Sequence, residues 1–154
     1  ETHRVWGRPC LLNIQEGKRG RVQLDFDVLN ITARAGSTSE QHMASLHRWY
    51  RQQLHAEIPA IIAEWEQQLG VKVQGYRWQR MKTRWASCET EKGTLLVNTE
   101  MAKKPKHLLH YVIGQTLISL VEPNKNKRYM ALLEKHIPMW KGFQQELNRL
   151  PVGV

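Results

Sequence analysis

The sequence has little cysteine, no long hydrophobic run and no low-complexity segment. Only Cys10 and Cys88 occur, far apart and in unlike surroundings, so neither a disulfide framework nor a cysteine-based zinc site is indicated. No stretch reaches the roughly 18 apolar residues of a membrane span, and residues 1–8 carry no secretory signal pattern. We therefore expect a soluble, cytoplasmic protein without membrane partners.

Size and composition favour a single domain with an uneven charge. The 154 residues are 41% hydrophobic and 24% charged, which suits one hydrophobic core, so we assign residues 1–154 to one domain. The net charge is +9, of which residues 1–76 carry +1 and residues 77–154 carry +8. Such an excess favours nucleic acid or an acidic partner, although it also occurs on surfaces that are simply well solvated.

The first half of the chain predicts strands followed by a long helix. Val22, Leu24 and Phe26 alternate with polar residues, which is typical of antiparallel strands joined by a hairpin. Apolar residues then recur every three or four positions between about Ser39 and Leu69, which predicts a helix. Pro59 lacks a backbone N–H, so we expect a kink or a break into two helices near Glu57.

The second half predicts further strands over residues 71–97 and helices after them. Basic and mostly apolar residues alternate from Arg80 to Trp85, so a strand there would carry Arg80, Lys82 and Arg84 on one face. Apolar periodicity predicts three helices, which begin near Lys104, Lys127 and Met139. Strands, a long helix, more strands and then helices together indicate an α+β fold.

Several motifs resemble those of one enzyme family. They are Lys82-Thr83-Arg84-Trp85-Ala86-Ser87-Cys88, Leu95-Leu96-Val97-Asn98, Lys104-Pro105 and Tyr111-Val112-Ile113. With them the chain resembles, over nearly its whole length, the YgjP-like metal-dependent hydrolases, which are relatives of the SprT and WLM metallopeptidases. The resemblance implies a zincin-like domain with N-terminal antiparallel strands, a long helix, a central sheet and C-terminal helices. Ala86 is a mild departure, since the family has glycine there.

The chain departs further at the positions where the resemblance implies a zinc site. In a zincin, two histidines four residues apart bind zinc, and the glutamate after the first activates water. Alignment on Tyr111-Val112-Ile113 puts Gln115 and Ser119 at the histidine positions, Thr116 at the general base and Lys125 at the third histidine. The amide and hydroxyl are weak zinc ligands, a protonated lysine cannot coordinate, and threonine offers no carboxylate. We therefore expect no zinc, no other cofactor and no zinc-dependent peptidase activity.

Three functions stay open on the sequence alone. The first is an inactive metallopeptidase-like protein, natural or redesigned, that binds an extended peptide or a protein partner along the strand that carries Arg80, Lys82 and Arg84. The second is nucleic-acid binding, with the same cations and the lysines of the later helices facing phosphates while Trp78 or Tyr76 stacks on bases. The third is a hydrolase that uses another metal or an unconventional site, for example a nucleophilic Cys88 paired with His110.

Overall fold

The computed structural model describes residues 2–150, which form two sheets and four α-helices. The strands are β1 (Thr2–Val5), β2 (Arg8–Glu16), β3 (Arg21–Asp25), β4 (Val28–Ala33), β5 (Gly75–Gln79), β6 (Ala86–Glu89) and β7 (Thr94–Asn98). The helices are α1 (Ser39–Leu69), α2 (Lys106–Val121), α3 (Lys127–His136) and α4 (Trp140–Asn148), and a short 3₁₀ helix spans Thr99–Lys103. This order confirms the predicted α+β class. Within residues 2–150, no helix combines the length and apolarity that crossing a bilayer requires.

The N-terminal sheet has the strand order β1-β2-β4-β3. β3 and β4 form the predicted antiparallel hairpin, and Phe26 turns the chain between them at a left-handed φ of 56°. β2 and β4 are parallel, however, with Leu11 opposite Val28. The expectation of antiparallel pairing throughout is therefore wrong for this pair. The reason is that β3 does not pair with β2 but lies one strand further out. The chain then returns as β4 between β2 and β3, where it runs in the same direction as β2.

Helix α1 is one continuous helix, with both ends capped. Thr38 and Gln41 form a reciprocal capping box at its start, and Gly70, at a φ of 69°, ends it. The predicted break near Glu57 is wrong, because the helix continues through Pro59. Pro59 is exposed, so the carbonyl that loses its helical hydrogen bond there can bond to water.

The second sheet has the order β5-β7-β6, with β5 parallel and β6 antiparallel to β7. Residues 80–85 form a loop between β5 and β6, so the strand predicted from Arg80 to Trp85 is wrong. The buried Asn98 side chain holds this loop, since its Nδ2 donates to the carbonyls of Met81 at 2.9 Å and Arg84 at 2.7 Å. These bonds satisfy carbonyl groups that a strand would instead have paired with a neighbouring strand.

Helices α1 and α2 pack very closely, which fixes the orientation of α2 against the second sheet. A Cβ atom at the buried Gly114 would overlap the Trp65 ring of α1. The Trp65 indole N–H also donates to the His110 carbonyl at 3.2 Å. Because one side of α2 is held against α1 in this way, another side is free to face β6 and α3.

Candidate functional site

A cleft of about 770 Å³ lies between β6, α2 and α3. The sheet contributes Ala86, Ser87 and Cys88 to its wall, and α2 contributes residues three or four positions apart, which share one helical face. The α2 residues include Gln115, Thr116 and Ser119, and the loop after α2 adds Lys125. These are the four positions that the resemblance assigns to the zinc site. The fold therefore brings the four positions to one cavity.

The polar side chains of α2 in this cleft already have protein partners. The Thr116 hydroxyl donates to the Val112 carbonyl of its own helix at 2.7 Å. Gln115 and Ser119 lie against the buried Tyr129 of α3. Burial raises the pKa of the Tyr129 phenol, and polar contacts from Ser119 and Gln115 oppose that rise. A tyrosine therefore lies against the two positions that the resemblance assigns to zinc-binding histidines.

The side chains that line the cleft do not fit a zinc ion. They include no histidine, aspartate or glutamate, and they bring two cations, Arg84 and Lys125. Across residues 2–150, no three or more His, Cys, Asp and Glu side chains are grouped so that they could hold a metal. Zinc sites need three or four anionic or imidazole ligands. The single thiol, the hydroxyls and the amides of the cleft wall do not supply them, and the two cations would repel a divalent ion.

Cys88 and His110 are not brought together as a nucleophilic pair. The Cys88 thiol donates to the Thr116 carbonyl at 3.6 Å, and burial raises its pKa, which keeps it protonated. His110 is absent from the cleft wall, and its Nδ1 lies 3.9 Å from the Glu64 carboxylate of α1. Among the described residues, His110 is therefore not placed as the adjacent base that an activated Cys88 needs.

The outer edge of β6 runs along the cleft. Trp85, just before β6, lies opposite Asn98 of β7, and the Asn98 N–H donates to the Trp85 carbonyl at 2.9 Å. Trp85 and Asn98 therefore form a hydrogen-bonded pair of the ladder. Because bonded and non-bonded pairs alternate in an antiparallel ladder, Ser87 also bonds to β7, whereas Ala86 and Cys88 direct their backbone N–H and C=O groups away from it. Within the described residues β6 pairs with β7 alone, so these groups face the open edge.

The three cations predicted on one strand face lie in different places. Arg84 lines the cleft, Arg80 lines a smaller pocket beside α1, and Lys82 lines neither of these two cavities. The prediction of a single basic face is wrong because residues 80–85 form a loop, which does not keep the two-residue alternation of a strand.

Sequence reasoning also missed Tyr129, which meets the zinc-site positions from α3. A signal for it was present in the sequence. Asn126 caps α3, and its Oδ1 accepts from the backbone N–H groups of Arg128 and Tyr129 at 3.0 and 3.1 Å. Recognition of this cap would have put Tyr129 in the first turn of the helix that follows Lys125.

Two solved structures share the fold of part of the chain. One is the crystal structure of the metallopeptidase zymogen of Methanocaldococcus jannaschii jannalysin, which is 20% identical with a TM-score of 0.54 and covers 60% of this chain and 95% of its own. The other is the crystal structure of the metallopeptidase zymogen of Pyrococcus abyssi abylysin, which is 15% identical with a TM-score of 0.53. The match covers 58% of this chain and 90% of the abylysin chain. At these identities the likeness shows the fold alone.

The family comparison covers nearly the whole chain. No curated protein matches the sequence. The sequence model of the YgjP-like metallopeptidase domain matches residues 1–150, a span that includes both sheets, all four helices and the cleft. The chain therefore belongs to the YgjP-like metallopeptidase-domain family.

Proposed function

We propose that this protein binds an extended acidic peptide in the cleft and does not hydrolyse it by zinc chemistry. One observation carries the proposal: the open edge of β6 borders a cleft whose wall includes Gln115, Thr116, Ser119 and Lys125, the positions that the resemblance assigns to the zinc site. The fold thus keeps a wall to which a peptide can bind. The groups that would hold zinc and activate water are replaced by side chains that can do neither.

The edge strand supports binding of an extended peptide. An extended chain can add to an exposed sheet edge through main-chain hydrogen bonds, and the neighbouring pockets then select its side chains. Ala86 and Cys88 offer the required N–H and C=O groups, two residues apart. A peptide laid along β6 would place alternate side chains toward α2 and the polar residues Gln115 and Ser119.

The charges of the cleft support an acidic peptide. Arg84 and Lys125 are both exposed and both line the cavity, which has no carboxylate in its wall. Opposite charges at an interface raise association rates and reject partners of like charge. Glutamate or aspartate in the peptide would therefore be favoured, and lysine or arginine would be disfavoured.

The peptide-binding part is tested by fluorescence anisotropy with labelled Glu-rich and Lys-rich peptides of equal length. We expect the protein to bind the Glu-rich peptide more tightly. Ala86→Pro, which removes one outward N–H from β6 where proline is tolerated, should weaken binding, whereas Ala86→Ser, which keeps the N–H, should not. Equal affinity for both peptides, or no difference between the two variants, would contradict the proposal.

The absence of zinc chemistry is tested separately by elemental analysis of protein purified without chelators. We expect far less than one zinc per chain and no cleavage of the bound peptide after long incubation. About one zinc per chain, lost together with peptide cleavage on chelation, would overturn this part and leave the binding result standing.

A further inference from the structure

A second pocket, of about 120 Å³, lies where the parallel strands β5 and β7 end. It is bordered by α1 on one side and by the start of the 3₁₀ helix on the other, and its wall includes His47, Arg51, Trp78, Arg80, Thr99 and Glu100. The carboxyl ends of parallel strands are a common position for ligand sites, because the chain leaves the sheet there and opens a crevice. This pocket shares none of its lining residues with the cleft.

The pocket carries an excess of positive charge. Arg51 and Arg80 both line it, and within residues 2–150 neither has a carboxylate at ion-pair distance. Its one carboxylate, Glu100, is bonded to Lys103 at 3.0 Å and is thereby neutralised. Burial lowers the pKa of His47 most, Lys103, Arg80 and Arg51 lower it further, and Glu100 opposes them, as expected for a partly desolvated imidazole among cations.

An aromatic cluster adjoins these cations. The Trp78 ring lies 5.7 Å from that of His55 and 5.9 Å from that of Tyr76, and Tyr76 and His55 are hydrogen-bonded to each other. Trp78 nevertheless keeps 37% of its surface exposed. The neighbouring rings support it from within, so it offers a firm apolar surface next to two arginines.

We propose that this pocket binds single-stranded nucleic acid, with a backbone phosphate between Arg51 and Arg80 and a base stacked on Trp78. Both arginines line the pocket, and Trp78 keeps more than a third of its surface exposed, so the phosphate would lie in the pocket while the base stacks on the exposed part of the ring. Within residues 2–150, neither arginine has a carboxylate at ion-pair distance, and an exposed aromatic ring lies next to them. This combination matches how such proteins track the backbone and stack on successive bases. An acidic peptide could meet the arginines but would leave Trp78 without a stacking partner.

The sequence carried a signal for this pocket that motif analysis did not use. His47, Arg51 and His55 recur every four residues on α1 and therefore share one face of the helix. Their partners Trp78 and Arg80 lie two residues apart, at the end of β5 and just beyond it. Only the packing of α1 against this sheet brings the two groups together.

The test is fluorescence anisotropy of labelled oligo-dT and oligo-U with the full chain at low salt, followed by a salt titration. Trp78→Ala should weaken binding by about 5- to 150-fold, the range for loss of one base–aromatic stack, and Trp78→Phe should restore most of the affinity. Arg51→Ala and Arg80→Ala should each reduce the slope of log affinity against log salt by about 0.7, the value for one lost phosphate contact. Arg128→Ala, on α3 and paired with Glu122 at 3.8 Å, removes the same charge outside the pocket and should leave the affinity nearly unchanged.

The outcomes separate this site from general surface charge and from the cleft. No binding at low salt, or an equal loss in Arg128→Ala and Arg80→Ala, would overturn the proposal. So would a Glu-rich peptide that competes with oligo-dT and loses its own affinity in Arg80→Ala, because the pocket would then serve a protein partner. Thermal melting of each variant shows whether a loss of binding comes from unfolding, and an unfolded Trp78→Ala leaves Trp78→Phe and the two arginine variants to decide.

Discussion

Replacing Asn98 by alanine should destabilise the fold more than any single surface change in the chain. The Asn98 side chain is fully buried. It accepts from the Glu100 N–H at 3.0 Å and donates to the Met81 and Arg84 carbonyls at 2.9 and 2.7 Å. It thereby ties the end of β7 to the loop that leads into β6.

The expected loss follows from these three bonds and from a longer one, which the Met81 N–H donates to the Asn98 Oδ1 at 3.4 Å. A hydrogen bond of this kind contributes about 0.5–1.5 kcal/mol net, and a buried group left without a partner costs more. Asn98→Ala should therefore lower the free energy of unfolding by about 2–4 kcal/mol. For a chain of this size each kcal/mol shifts Tm by about 2–4 °C, so Tm should fall by roughly 4–16 °C. Peptide affinity should fall as well, because the same loop positions Arg84 and the first residue of β6.

The measurement is urea unfolding of the wild type, Asn98→Ala and a matched control, Asn148→Ala. Asn148 is exposed and makes one side-chain hydrogen bond, from the Gln144 amide at 3.0 Å, so its loss should cost less than about 0.5 kcal/mol. An unchanged m-value would show that the difference is one of stability. A loss below about 1 kcal/mol in Asn98→Ala, or one equal to that of Asn148→Ala, would refute the reasoning that this side chain holds the loop.

Two further predictions concern the zinc positions and the second pocket. Introducing the family's zinc-site residues into the cleft should create a zinc site, with about one bound zinc per chain by elemental analysis. The substitutions are Gln115→His, Thr116→Glu, Ser119→His and Lys125→His. Failure of the folded variant to gain zinc would show that these positions do not converge. The lowered pKa of His47 means that the folded state binds its proton less readily than the unfolded state. Its contribution to stability is therefore present above the unfolded pKa, near 6.5, and is lost as pH falls through the lower folded value. Urea unfolding should show stability declining below about pH 7, with a smaller decline in His47→Gln, and an identical decline in that variant would contradict this assignment.

Local patterns in the sequence predict most helices and hairpins correctly, because short-range rules decide them. The capping residues of α1, the apolar face of α2 and the alternation in β3 need only neighbouring residues to act. Two predictions failed where a distant residue decides the outcome. Asn98 holds residues 80–85 as a loop although their alternation is typical of a strand, and the parallel partner of β2 follows from which strand position β4 occupies.

The candidate site divides in the same way. The family pattern was readable from the motifs around Trp85, Asn98 and Tyr111, and the resemblance itself predicts which residues occupy its zinc positions. The contact of Tyr129 with Gln115 and Ser119 was not, because it depends on how α3 packs against α2.

The sequence by itself determined the α+β class, the family and the chemical nature of the residues at the positions that the resemblance assigns to zinc binding, since composition, periodicity and motif spacing are properties of the chain alone. The tertiary structure decided that Arg84 faces the cleft while Arg80 faces a different pocket, and that Trp78 lies beside Arg51. These are contacts between residues tens of positions apart, and they depend on how whole helices and sheets pack, which local periodicity does not encode.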